Sequence, residues 1–282
     1  MNKIVLITGA TSGFGEACAR KFASEGGYNI IITGRRKERL EALRQELEGT
    51  GAPASTSAAP TGTPASAPAA AGARPPAIAP IAVLPLVFDV QDKTAVFSAI
   101  GALPPEWKKI DILINNAGLA LGRDFFDEAS LDDWETMIDT NVKGLLYVSK
   151  AVVPLLVAQK KGHIINLGSI AGKEVYEKGN VYCASKYAVE AISKAMRIDL
   201  LQHRIKVTAI HPGAADTEFS KVRFKGDERQ AQKIYEGYQP LSAEDVADAI
   251  YYCATLPAHV CINELEITCT AQASSFYYNR NS

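Results

Sequence analysis

Three residues in the middle of the chain have types and spacing that could carry chemistry. Ser169 stands thirteen positions before Tyr182, and Tyr182 stands four before Lys186. Four residues is about one helical turn, so a helix through this stretch puts the phenol and the ammonium on one face. A serine delivered by a strand end could meet them in one small volume. Such a trio suits a reaction in which a proton moves to or from an oxygen while a hydride moves at the adjacent carbon. Free tyrosine titrates near ~10, too high for an efficient base at neutral pH, and a nearby cation favours the phenolate. Lys186 is placed to lower the pKa of Tyr182, and Ser169 to hold the substrate oxygen. Taken alone, Y-x-x-x-K also fits an aromatic ring packed on a lysine stem, so the surrounding elements decide.

Those elements alternate. Ser169 follows an apolar run, 163–167, that reads as a short buried strand, and Tyr182 opens a helical pattern over 181–203. Earlier, the β-branched run 4–8 reads as a buried parallel strand, followed by a glycine-rich turn and a helix to about residue 25. A strand at 28–33 ends in Gly34-Arg35-Arg36, and a charged helix over 37–48 carries Leu40, Leu43 and Leu47 on one face. Strands at 81–88 and 110–114 end at Asp89 and at Asn115-Asn116-Ala117-Gly118, with a short helix over 93–102 between them. A long helical region, 131–159, is capped by Ser130 and predicted to be interrupted near Pro154. A strand at 206–210 leads into His211-Pro212-Gly213 and an irregular lobe. A helix capped by Ser242, with Asp245 in the capping-box position, runs to about 255, and a last strand covers 264–268. The alternation implies an α/β fold: one Rossmann-type domain, a doubly wound parallel sheet with helices on both faces and its ligand crevice at the carboxyl ends of the strands.

One stretch departs from the pattern. Residues 49–80 hold half of the chain's 14 prolines and are otherwise mostly alanine, with no acid and no aromatic residue. This composition predicts a disordered insertion within the domain, a tolerated surface loop or a tether. Over the whole chain, 47% hydrophobic and 22% charged residues describe an ordinary globular protein, and a net charge of −1 offers no general attraction for nucleic acid or anionic membrane. The five cysteines are scattered without C-x-x-C or a paired histidine cluster, which predicts reduced thiols, a cytoplasmic protein and no metal site. No membrane span is predicted.

The turn after the first strand reads G-x-x-x-G-x-G, at Gly9, Gly13 and Gly15, with Thr11, Ser12 and Phe14 between. Between a strand and a helix, such a turn lets backbone N–H groups and the helix dipole approach a pyrophosphate. An acid about 20 residues on would grip the ribose hydroxyls of NAD. Here Arg35 and Arg36 stand at the end of the second strand, and two guanidinium groups suit a 2′-phosphate, so NADP(H) is predicted. Alternatively, Arg36 opens a solvated helical face with Lys37 and Arg39.

Together, TGATSGFG at 8–15, NNAG at 115–118, Asn141 in DTNVKG, Ser169 and Tyr182-x-x-x-Lys186 resemble the short-chain dehydrogenase/reductase family over all of the chain except 49–80. The resemblance implies a tetrad of Asn141, Ser169, Tyr182 and Lys186, with Asn141 holding a water in a proton relay and Lys186 also gripping the nicotinamide ribose. It places Asp89 and Val90 at the adenine, Asn115, Asn116, Ala117 and Gly118 along the cofactor cleft, and Pro212, Gly213 and Thr217 around the nicotinamide. Asp89 could instead simply cap a turn. A narrower resemblance, carried by ASLDDWETMIDTNVKGLLYVSKAVVP, TEFSKVRFKGD and ATLPAHVCINELEI, is to the NADP-dependent 3-hydroxy acid dehydrogenases, which act on serine or L-allo-threonine. It implies a homotetramer and a small carboxylate substrate. Such a substrate needs a cation, for which Lys221, Arg223 and Lys225 are available; Arg223 is the expected one. Two other readings stay open: an NADPH-dependent reductase of another carbonyl, and a non-catalytic dinucleotide-binding sensor.

Overall fold

Strand β1 (Lys3–Ile7) shows why the sheet lies in the middle of the molecule. Val5 and Ile7 point into one apolar cluster, while Ile4 and Leu6 point into another. A strand buried on both faces must be apolar at consecutive positions, and the same division recurs in β2 (Tyr28–Gly34), where Ile30 and Ile32 face one side and Ile31 the other. The computed structural model describes residues 2–50 and 81–280. In it, β1, β2, β3 (Val83–Val87), β4 (Ile110–Asn115), β5 (Gly162–Leu167), β6 (Ile205–Pro212) and β7 (Glu264–Ile267) form one sheet in the order β3-β2-β1-β4-β5-β6-β7, every pair parallel. β3 and β7 are its edges; β3 carries Pro85, and β7 is four residues long with Glu264 and Glu266.

Each face is covered by helices whose apolar stripe meets it. On one side lie α1 (Gly13–Glu25), α2 (Lys37–Thr50) and α9 (Ala243–Thr255), contributing Cys18 and Phe22, Leu40, Leu43 and Leu47, and Val246 and Ile250. On the other, α3 (Lys93–Gly101) contributes Val96 and Ile100, and α5 (Leu145–Gln159) contributes Val148, Val152 and Leu156. A fully buried side chain of this size contributes roughly 1.5–3 kcal/mol from its apolar area. α9 starts with the expected capping box, Ser242 and Asp245 bonding each other's backbone. α6 (Asn180–Asp199) follows β5 and ends earlier than predicted, giving way to a tight turn at Leu201–His203. Short helices α7 (Glu218–Arg223) and α8 (Glu228–Lys233) form the lobe after β6.

The insertion and the long helical region also differ from expectation. α2 continues through Gly49 and Thr50, so the predicted insertion contributes two residues to a helix, and the rest of it, from 51 to 80, lies outside the described residues. The irregularity predicted at Pro154 falls elsewhere. Pro154 sits on the exposed side of α5, where losing one backbone donor is tolerated, while the break comes earlier. Between α4 (Leu131–Ile138) and α5, residues Asp139–Gly144 form a wider, π-helical turn. Such turns occur frequently at functional sites. This one turns Asn141 inward and brings Gly144 so close to Val90 that an added Cβ would lie 2.8 Å from its side chain. The helical run 131–159 is long and apolar enough, by length and composition, to cross a membrane, although the sequence reading foresaw no such segment. Its apolar stripe is the one buried on the sheet.

Candidate active site

The carboxyl ends of β1, β2, β4, β5 and β6 open onto one cleft of about 420 Å³, roofed by α7 and by the segment after β7. The strand order reverses between β1 and β4, and a crevice outside the strand ends is expected at that point. Ser169 leaves β5 in an extended conformation, its hydroxyl accepting from Ala171 N at 3.1 Å and reaching Pro212 O at 3.5 Å. Tyr182 and Lys186 lie one turn apart on α6, both nearly inaccessible except through the cleft. Lys186 Nζ donates to Leu167 O at 2.9 Å and lies 6.0 Å from the Tyr182 ring centroid.

The pKa of Tyr182 runs against the sequence reading. Burial pushes the phenol up, out of its ordinary range, and the Ser169 hydroxyl and Arg223 only partly oppose this. The Lys186 ammonium is pointed at a backbone carbonyl, and burial draws its own pKa down to about 8. In this geometry the Tyr182 phenol is protonated at neutral pH.

Asn141 lies behind the cleft wall. Its side chain makes a two-way clamp with Leu119, donating to Leu119 O and accepting from Leu119 N, both at 2.8 Å, and donates to Ser185 Oγ at 3.0 Å. It thereby fixes the backbone beside Gly118, where an added Cβ would lie 3.2 Å from Asn141 Oδ1 and 3.6 Å from Lys186 Nζ. Asn115 is also buried away from the cleft, bonded to Ser149 and Asn166, whereas Asn116 donates to Thr8 O and Gly9 O and faces the cleft with Ala117 and Gly118.

The glycine turn is shaped to receive a group on its backbone. Gly9 has φ +66°, and a Cβ there would lie 2.9 Å from Ala117 Cα. Gly13 has φ +56° and its missing side chain leaves only Thr217 nearby. Ser12 begins α1 without capping it, so the first amides of that helix face the cleft unbonded by a side chain. Gly15 does not line the cleft; it lets α1 pack against Asn116 and the carbonyl of Gly9. Phe14 lines the cleft from one side and packs on the core from the other.

The two arginines separate. Arg36 bends inward, donating to Thr11 Oγ1 at 2.8 Å, Ser12 Oγ at 2.9 Å and Thr11 O at 3.1 Å, so it is fixed on the glycine turn although its side chain stays partly exposed. Arg35 is extended and pairs at 3.3 Å with Asp89, which also caps the turn at Gln91 N. Both arginines, Asp89 and Val90 line one end of the cleft. Pro212, Gly213 and Thr217 line the other wall, with Thr217 capping α7 through Phe219 N.

Among the three candidate cations, Lys221 and Lys225 are paired outside with Glu228 and Asp133. Arg223 is only 8% exposed and turns into the cleft, its guanidinium 5.4 Å from the Tyr182 ring centroid. It donates to Tyr176 Oη at 2.9 Å and Gly122 O at 3.3 Å, and Nη2 is buried with no partner in the protein. An unpaired buried guanidinium N–H is costly, and an acceptor brought into the cleft beside it would relieve that cost. Sequence reasoning missed Tyr176 and Phe219, which flank Tyr182. Tyr176 sits in the loop between Ser169 and Tyr182, where no spacing rule applies. Behind the site, Glu190, His211 and Glu264 cluster within reach of a common ion, but Lys173 and Lys194 already pair with these carboxylates at 2.5–3.5 Å.

This sheet order, glycine turn and Ser-Tyr-Lys grouping define a hydride-transferring Rossmann enzyme. The short chain dehydrogenase profile matches residues 3–84 and 65–228, and the chain belongs to that family. It is 45% identical over 271 residues to the NADP-dependent 3-hydroxy acid dehydrogenase YdfG of Escherichia coli (strain K12), covering 96% of each chain. It is 43% identical over 283 residues to sulfoacetaldehyde reductase 2 of Chromohalobacter salexigens, covering all of both. Among solved structures, the closed form of serine dehydrogenase complexed with NADP+ superposes with a TM-score of 0.82 at 43% identity, covering 99% of this chain and 100% of that one.

Proposed function

We propose that the protein is an NADP(H)-dependent oxidoreductase that interconverts short 3-hydroxy acids, such as serine, L-allo-threonine and 3-hydroxypropionate, with the matching carbonyl acids. The observation that carries the substrate class is Arg223: a buried guanidinium with a free N–H, in the same cleft as Tyr182. A small acid held there by its carboxylate would present its hydroxyl carbon to the neighbouring Ser169 and Tyr182.

When bound, NADP supplies or accepts the hydride. Its pyrophosphate would lie on the Gly9–Gly15 turn, its 2′-phosphate at Arg36 with Arg35, and its adenine by Asp89 and Val90. Its nicotinamide end would rest among Asn116, Ala117, Gly118, Lys186, Pro212, Gly213 and Thr217. Ser169 orients the substrate oxygen, and the protonated phenol of Tyr182 donates to that oxygen in reduction and takes the proton back in oxidation. Lys186 gives the phenolate a cation to lean on when that proton leaves. Asn141 completes the set as the residue that fixes the backbone at Gly118, and a water beside it would link Lys186 to solvent.

The likeness to a sulfoacetaldehyde reductase supports a second substrate of the same kind, because a sulfonate presents its oxygens to the same guanidinium. Residues 1–282 would act as one catalytic unit interrupted by the segment at 51–80. The five free cysteines, and the apolar side chains exposed on α5 (Leu146) and α6 (Tyr187, Ile198), support a homotetramer in the reducing cytoplasm.

Reduction of NADP+ and of NAD+ should be followed with L-serine, L-allo-threonine, 3-hydroxypropionate and 2-hydroxyethanesulfonate, in the wild type and in Arg223→Ala. Turnover confined to NADP+, and a loss in kcat/KM of about 10²-fold for the anionic substrates in the variant, are the expected results. Equal turnover of neutral alcohols by both proteins would replace the acid reading with that of a general carbonyl reductase.

A further inference from the structure

Glu218 opens α7 and divides its carboxylate between two cations of the cofactor end. Oε2 accepts from Arg36 at 3.1 Å, and Oε1 accepts from Arg39 at 2.7 Å. Arg36 is the guanidinium already fixed on Thr11 and Ser12, and Arg39 Nη1 also approaches Thr11 O at 3.4 Å. The carboxylate therefore occupies Arg36, one of the two side chains assigned to the 2′-phosphate, together with the adjacent Arg39. Its neighbour Thr217 lies against Gly13, and five residues further on the same short helix ends in Arg223. One side chain thus connects the helix that carries the substrate guanidinium to the arginines at the opposite end of the cleft.

The charges decide what this does. Arg36, Arg39 and Glu218 together sum to one positive charge. A phosphate monoester carries close to two negative charges at neutral pH, and it would meet both the cations and the carboxylate that holds them. All three side chains are 41–50% exposed, so the ion pairs contribute little to stability, but an anion seeking the same guanidinium groups encounters the carboxylate directly.

We propose that Glu218 competes with the cofactor's 2′-phosphate for Arg36 and Arg39, so that it sets the strength of discrimination between 2′-phosphorylated and unphosphorylated nucleotides. Displacement of the carboxylate loosens the start of α7, which makes arrival of the phosphate felt at Arg223. This inference rests on the NADP reading above.

Titration calorimetry of the full chain with 2′,5′-ADP and with 5′-AMP separates the possibilities. Glu218→Gln should tighten 2′,5′-ADP by about 10-fold at low salt and by about 3-fold at 0.3 M, because the removed repulsion is between partly exposed charges, and should leave 5′-AMP unchanged. Hydrogen exchange of the 217–224 amides should rise with 2′,5′-ADP in the wild type and not with 5′-AMP; in Glu218→Gln it should be high without either nucleotide. If the wild type prefers 2′,5′-ADP and the variant binds it equally or more weakly, Glu218 is only a support for the arginines and the inference falls. If the wild type binds both nucleotides alike, the NADP reading fails first and takes the inference with it.

Discussion

The cleft has two ends built on different principles. The end proposed for the cofactor offers mostly backbone, with strand ends, a glycine turn with two positive φ angles and an uncapped helix start anchored in the middle of the sheet, and Arg35 and Arg36 at its rim. The end proposed for the substrate offers side chains on a six-residue helix and a loop, with Arg223 reaching Tyr176 and Gly122 across more than forty residues of sequence. Backbone recognition depends on conformation that a few glycines guarantee, so it tolerates change around it. Side-chain recognition depends on which of several lysines and arginines turns inward, and a single substitution redirects it.

The sharpest way to break this division is at Tyr182, which stands between the two ends. Tyr182→Phe should lower kcat by about 10³-fold or more, the loss expected for a proton donor at the reacting oxygen, while leaving NADP+ affinity within about two-fold. Turnover near that of the wild type would remove Tyr182 from the reaction. A smaller effect belongs to the arginines. Arg36→Ala should weaken NADP+ binding by about 30-fold, as befits a charge-assisted contact, and leave NAD+ nearly unchanged. Arg35→Ala, removing an extended side chain, should cost less. The reverse order, measured by fluorescence titration, would move the phosphate to Arg35. The smallest effect is on stability. Lys186 has a folded pKa near 8, below its unfolded value near ~10.4, so the cost of burying its ammonium is present in full below pH 8 and is relieved between pH 8 and about 10.4. Lys186→Met should therefore be inactive yet more stable at pH 7, by about 2 kcal/mol after the lost bond to Leu167 O is set against the relieved desolvation, with the difference vanishing near pH 10. Chemical denaturation at the two pH values measures it; a variant less stable at pH 7 would mean that the carbonyl bond outweighs the desolvation.

Reading the chain alone recovers what is local. The strands were legible because burial on both faces demands continuous apolar runs, and the glycine turn because only glycine serves there. Ser169, Tyr182 and Lys186 were legible as one strand end and one helical turn. The π-helical turn was not, since the i, i+3, i+4 pattern of 131–159 continues through it, and attention went to Pro154, which merely faces solvent. Nor did sequence show which arginine bends inward, because that is settled by Thr11 and Ser12, some 25 residues away. Glu218 was beyond reach for the same reason, lying 182 residues from Arg36. The shifted Tyr182 pKa required knowing that the phenol is enclosed.

The ends of the sheet bear on how the protein behaves when crowded. An exposed parallel edge is a template on which a neighbouring molecule can add a strand, and runaway addition is a route to aggregates. β3 interrupts its outer row of donors with Pro85, and β7 offers only four residues, with the exposed Glu266 among them and Glu264 tied to Lys173 and Lys194. A sheet with so apolar an interior is thereby kept from propagating beyond its seventh strand.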